Sequence, residues 1–219
     1  MLGAGMQVVI GDIGVGGLAM APQRAAVMFS GLLCAALLRS PASAEDLAVQ
    51  TLNPAASPGY FTLFQELRVG AFAHNLAHNE NGPVDVSIET ISSNIGLANF
   101  SNPYVNWFLN PRINFGGMIN VEGKTSYAFG GFNWHAPLFG PVFFEGEFGG
   151  EVNDGVRAVT PNRVDLGCAV TFRESGGFGV QLSPQFDVIL SVEHSSHAGL
   201  CGKQNPGITD FGMRVGYKF

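Results

Sequence analysis

The chain of 219 residues has room for one domain of ordinary size. Hydrophobic residues make up 46% and charged residues only 13%, beside 30 glycines and 18 phenylalanines, whereas a soluble enzyme usually carries about a quarter charged residues. The net charge of −6 comes with only 11 scattered basic side chains. This excludes a nucleic-acid partner, because neutralising phosphates needs clustered Lys and Arg.

Residues 24–44 read RAAVMFSGLLCAALLRSPASA. Arg24 gives a positive start, residues 25–38 an apolar core, and Ala42, Ser43 and Ala44 a small-x-small cleavage site. The segment is therefore expected to be an export signal, cleaved to leave a mature chain from Glu45. Its core is too short for a stable helical span. Met20 or Met28 is an ordinary start for such a signal, so residues 1–19 read as a start-codon artefact. Their glycines lack the spacing of a dinucleotide fingerprint. The expected organisation is a leader over 1–44, an N-terminal extension over 45–65 and one barrel domain over 66–219. Removing the leader removes Cys34 and leaves Cys168 and Cys201, an even number in an oxidising compartment.

Beyond the leader no run approaches the roughly 20 apolar residues of a spanning helix. The chain instead divides into eight strand-length segments, punctuated by Gly, Pro, Asn and Ser: 66–76, 84–94, 110–122, 125–135, 141–151, 165–182, 186–196 and 209–219. Alternation is plain in the fifth, where Glu145, Glu147 and Glu151 interleave with Phe144, Gly146 and Phe148. In the seventh, Phe186, Val188, Leu190 and Val192 oppose Asp187, Ser191 and Glu193. In the last, Phe211, Met213, Val215, Tyr217 and Phe219 oppose Asp210, Gly212, Arg214, Gly216 and Lys218.

A soluble sandwich also alternates. Segments of about 10 residues, however, suit tilted strands crossing a bilayer, and the sparse charges of the polar faces suit a narrow lumen. The predicted fold is all-β: an eight-stranded antiparallel transmembrane β-barrel of the outer membrane. With both termini in the periplasm, the outer loops are 77–83, 123–124, 152–164 and 197–208, and residues 183–185 form a tight inner turn. The stretch 95–109 is long for an inner turn and is expected to hold a short helix or an interfacial plug.

Glu66, Arg68, Glu89, Glu145, Glu147 and Arg214 read as a charge-paired plug, since eight strands leave room only for side chains; that argues against a porin. The run His74-Asn75-Leu76-Ala77-His78-Asn79-Glu80 offers ligand spacing for a helix but lies at a strand end, so it reads as a surface loop and not a metal site. His135, before Ala136 and Pro137, reads as an interfacial turn residue. If the sixth and seventh strands turn about residue 184, position 168 falls opposite 200. A Cys168–Cys201 disulfide is then expected, tying the last loop to the sixth strand and contributing about 2–4 kcal/mol.

At the top of the seventh strand stands Glu193-His194-Ser195-Ser196-His197-Ala198-Gly199-Leu200, followed by Asn205-Pro206-Gly207-Ile208. This run resembles the outer-membrane lipid A 3-O-deacylases (PagL type) and their acyloxyacyl-hydrolase-like relatives. Their pattern is His-x-Ser-Asn-Ala-Gly-Leu, then Asn-x-Gly-Ile and an acid, then the closing strand. The resemblance takes in Glu66-Leu67-Arg68-Val69-Gly70 with His74, and Phe172-Arg173-Glu174-Ser175, but its specific part is the last 30 residues. It implies an esterase acting on lipopolysaccharide in the outer membrane, with Ser196 as nucleophile, His194 as general base and Asn205, with nearby backbone amides, at the oxyanion. No cofactor or metal is implied, and a homodimer is left open.

Two positions depart from the pattern. His197 stands where the family has Asn, and Thr209 stands where it has the acid. Asp210 is one residue on, and a one-residue step turns a strand side chain to the opposite face. Either a bulge re-aims Asp210, or Thr209 orients His194 as a neutral partner, or the chain is a non-catalytic barrel with a structural or adhesive role. On the period-two pattern, His194 and Ser196 continue the apolar face toward lipid. A polar pair is costly there, which makes it a functional candidate.

Overall fold

The computed structural model describes residues 60–76, 80, 84–158, 160–202 and 205–219. The leader with its cleavage site, most of the 45–65 extension, and His78 lie outside the described residues. Eight strands follow one another: β1 Glu66–Ala73, β2 Asp85–Asn94, β3 Arg112–Asn120, β4 Tyr127–Phe139, β5 Val142–Asn153, β6 Val170–Gln181, β7 Phe186–Ser196 and β8 Ile208–Lys218. Each pairs antiparallel with the next, and β1 pairs with β8 from Glu66–Lys218 to Ala73–Phe211, closing the barrel. Among the described residues no helix is long and apolar enough to cross a membrane.

The barrel is turned inside out relative to a soluble protein. Glu89 and Arg214 are 1% and 2% exposed, while Ile88 and Phe178 are 56% and 60% exposed. This inversion removes the sandwich alternative, whose apolar face would be the buried one, and it is what a bilayer demands of a barrel. Inside, Arg68 binds Glu66 at 2.5 Å and Glu145 at 2.7 Å, and Arg112 bridges Glu145 and Glu66. Arg173 holds Glu147 and Glu193, each at 2.9 Å, and Arg214 also pairs with Glu193. Higher up, Phe72, Met118, Tyr127 and Phe129 form an apolar layer, with the Arg173 guanidinium 3.8 Å above the Phe129 ring. The lumen is a packed, charge-paired plug, as the alternating charges require.

Three expectations need correcting. First, β6 begins at Val170 and not at 165. Gly167 has φ +69, and Val164 and Leu166 leave the wall to pack on Ile208. Second, His135 is not in a turn, because β4 runs on through a bulge between Pro137 and Phe139. Its Nδ1 lies 3.2 Å from Glu145. Third, His74 and Glu80, read as part of a surface loop, are fully buried. Glu80 folds inward, accepting from Thr125 N and Oγ1 (2.9 and 2.6 Å) and Val164 N (2.6 Å), and pairs with Arg163 at 2.8 Å. It thereby sews three outer loops into a cap. Burial pushes its carboxyl up, but these hydrogen bonds and the neighbouring His74 outweigh that and hold it at about 2.

The long β2–β3 connection holds a short helix, α1 (Pro103–Leu109), with Asn102 as N-cap accepting from Tyr104 N and Val105 N. It is pinned to the inner rim of β4: Trp107 Nε1 donates to His135 O at 2.7 Å and Trp134 Nε1 to Phe108 O at 2.8 Å.

Candidate active site

Along the last turn of β7 the side chains alternate between two environments. Glu193 points inward to Arg173 and Arg214, and Ser195 Oγ donates to Glu151 at 2.6 Å. His194 and Ser196 take the outer face and are partly exposed. The β7–β8 register runs unbroken through Glu193–Asp210, His194–Thr209 and Ser195–Ile208. With no bulge there, Thr209 keeps the outward face, and its Oγ1 lies 2.9 Å from His194 Nδ1.

The same unbroken register disposes of Asp210 as an alternative acid. Its carboxylate is buried in the lumen, accepting from Asn75 N at 2.8 Å and Tyr127 Oη at 3.2 Å. On the other flank of His194 stands Glu174, its direct cross-strand partner on β6. Directly opposed residues bring their Cβ atoms within about 4.5–5.5 Å. In the sequence Glu174 stands out only within Phe172-Arg173-Glu174-Ser175. The symmetry about residue 184 that located the disulfide also places 174 opposite 194, so the signal was present.

After β7 come residues 197–202 and 205–207, and Gly207 returns against His194. Ala198 and Gly199 turn the chain with φ 50 and 82. His197 is buried; its backbone N–H donates to Asn205 Oδ1 at 3.1 Å, and its Nδ1 accepts from Cys201 N at 3.2 Å. The amide following Ser196 is thus already engaged by the Asn205 side-chain oxygen. Gly207 has φ +68, and a Cβ there would meet His194 Cε1 at 2.6 Å and Nε2 at 3.0 Å. Only glycine lets the returning loop press on the imidazole edge. Cys168 and Cys201 form the expected disulfide, with Cα atoms 5.8 Å apart, anchoring the loop to the start of β6.

Beside Ser196, whose cross-strand partner is Phe172, an apolar groove of about 280 Å³ runs down the outside of the wall. Phe148, Gly150, Val170, Phe172, His197 and Leu200 line it. A hydroxyl, an imidazole held at Nδ1 by Thr209 and an apolar groove, all on the outer face, form the minimum set for acyl transfer from a membrane substrate.

Fold and site together define a small outer-membrane β-barrel with a Ser–His pair on its lipid face. A family model described as lipid A 3-O-deacylase (PagL) matches residues 64–218, and the chain belongs to that family. Among solved structures it is similar to the outer-membrane enzyme PagL (15% identity, TM-score 0.54, covering 70% of this chain and 99% of that one). Neisserial surface protein A is more distant (8% identity, TM-score 0.43, covering 74% and 100%). No curated protein sequence matches significantly.

Proposed function

We propose that this chain is a serine esterase of the outer membrane that removes an ester-linked 3-hydroxyacyl chain from lipid A, reaching its site through a cleaved export signal. The observation that carries the reading is the outward-facing His194–Thr209 hydrogen bond, with Ser196 on the same face. Thr209 accepts the Nδ1 proton, leaving Nε2 as the basic nitrogen. His194 takes the Ser196 proton as Oγ attacks the ester carbonyl, then returns it to the departing sugar oxygen; water releases the acyl group by the same route. Glu174, across the strand, supplies negative charge beside the imidazolium that forms. Asn205 Nδ2 is the donor to the tetrahedral oxyanion. The groove at Phe148, Phe172 and Leu200 takes the acyl chain without removing it from an apolar medium.

The test is the lipid A mass spectrum of cells expressing wild type or Ser196→Ala. Loss of one 3-hydroxyacyl mass with wild type only is expected; unchanged acylation with wild type overturns the reading. Thr209 in the acid position favours a second reading, a non-catalytic barrel. Labelling of Ser196 by a sulfonyl fluoride in detergent, dependent on His194, separates the two.

A further inference from the structure

Beneath the outer cap, and on the opposite face of the wall from Ser196, three side chains converge from three strand ends. His74 follows β1, Asp85 opens β2 and Asp210 lies at the start of β8. His74 Nδ1 is 2.8 Å from Asp85 Oδ2 and 3.7 Å from Asp210 Oδ1. One donor atom from each lies within 4.8 Å of the others, and all three residues are buried. We propose that this is a metal site, binding one divalent transition ion through His74 Nδ1 and one oxygen each of Asp85 and Asp210.

Independent observations surround those three groups. Asp85 Oδ1 accepts from Asn120 Nδ2 at 2.7 Å, and Asp210 is held by Asn75 N and Tyr127 Oη, so both carboxylates are oriented from outside. His74 Nε2 is buried without a hydrogen-bond partner among the described residues and faces Glu80 Oε1 at 3.8 Å, too long for a hydrogen bond. A ligating histidine backed by a carboxylate on its second nitrogen is the usual outer sphere of a metal site. Here that second nitrogen needs a partner that a small rotation of the ring would supply.

One imidazole and two carboxylates suit zinc or manganese more than calcium, which prefers oxygen alone. With metal–ligand distances of about 2.0–2.2 Å, tetrahedral ligand atoms stand about 3.3 Å apart. The Asp85 contact must open, and the Asp210 contact close, by a few tenths of an ångström. The ion replaces the proton held between His74 and the carboxylates, and that proton leaves to solvent. Its charge balances the two aspartates, while Glu80 keeps Arg163. The ion would staple β1, β2 and β8 at their outer ends, a structural role separate from ester cleavage.

Zinc is the probe. Barrel purified in metal-free detergent, loaded with ZnCl2 and desalted, is expected to retain about one ion per chain by elemental analysis. Glu80→Gln is expected to weaken binding about 10–100-fold, and Asp85→Asn to abolish stoichiometric retention. Heat-modifiable gel migration reports that each variant is folded. Folded wild type that retains no zinc, or zinc retained equally by Asp85→Asn, overturns the site. Neither result depends on the deacylase reading.

Discussion

Glu193 and His194 are adjacent residues on one strand and live in opposite media. Glu193 is 1% exposed and shared between two arginines; His194 faces the lipid side, with a threonine hydroxyl on Nδ1. The lumen neutralises charge in place, with each arginine held by more than one carboxylate, and its polar groups are fixed by many contacts at once. The outer face near the rim carries few polar groups, among them Glu174, His194, Ser196 and Thr209. The difference teaches that period two separates the residues that hold the barrel together from those proposed to act on a substrate. It also fits a proposed Ser–His pair at the top of β7, where the cost of a polar side chain against lipid falls toward the interface.

The largest test of that division is Ser196→Ala. Deacylation is expected to fall about a thousandfold or more, with heat-modifiable migration unchanged. Glu193→Gln should do the reverse. It leaves Arg173 and Arg214 without a full counter-charge in a buried network, which costs about 3–5 kcal/mol. A lowered urea midpoint in lipid vesicles, with activity kept at permissive temperature, is the expected result. Lost activity at unchanged stability would mean that the two faces do not divide the work.

Much of this was legible in the chain because a strand has a fixed period. Seven of the eight segments begin within two residues of where turn residues and alternation place them, and the 184-centred turn places Cys168 beside Cys201. What period two does not encode is a loop residue such as Glu80 that is buried against other loops. The His74–Glu80 stretch is polar and reads as solvated, yet Glu80 finds Thr125 and Val164 on two other loops, and no local pattern announces partners 45 and 84 residues away. The start of β6 is misplaced for a related reason: Val164 and Leu166 are apolar enough for a strand but serve the cap. The proposed site residues come from the His-x-Ser run, whereas the closeness of Gly207 to the His194 ring is seen only in the fold.

Gly207→Ala probes that closeness. The added methyl would stand 2.6 Å from His194 Cε1 in a backbone with φ +68, so either the loop or the imidazole must move. A displacement of about 1 Å at a catalytic base costs about a hundredfold, and kcat should fall by that order while the lumen, and hence thermal stability of the barrel, changes little. Stability lost together with activity would show that the loop supports the wall as well as the site.

The smallest effect is the most informative about the flank of His194. Thr209→Val keeps shape and removes one hydroxyl, the partner of Nδ1 at 2.9 Å. A neutral hydrogen bond contributes about 1 kcal/mol, so kcat is expected to fall about fivefold to tenfold, with KM held. A fall of about 10⁴-fold is what loss of a true triad acid produces, and would mean that the hydroxyl alone fixes the tautomer. No fall would hand the orienting role to Glu174, which faces His194 from β6; Glu174→Gln should then carry the loss instead. Thr209→Glu completes the set. If the outward face at 209 is where charge is wanted, a carboxylate there should raise kcat and make Glu174 dispensable. If Glu174 already supplies that charge, a second acid beside it would repel the first and leave the rate where it was.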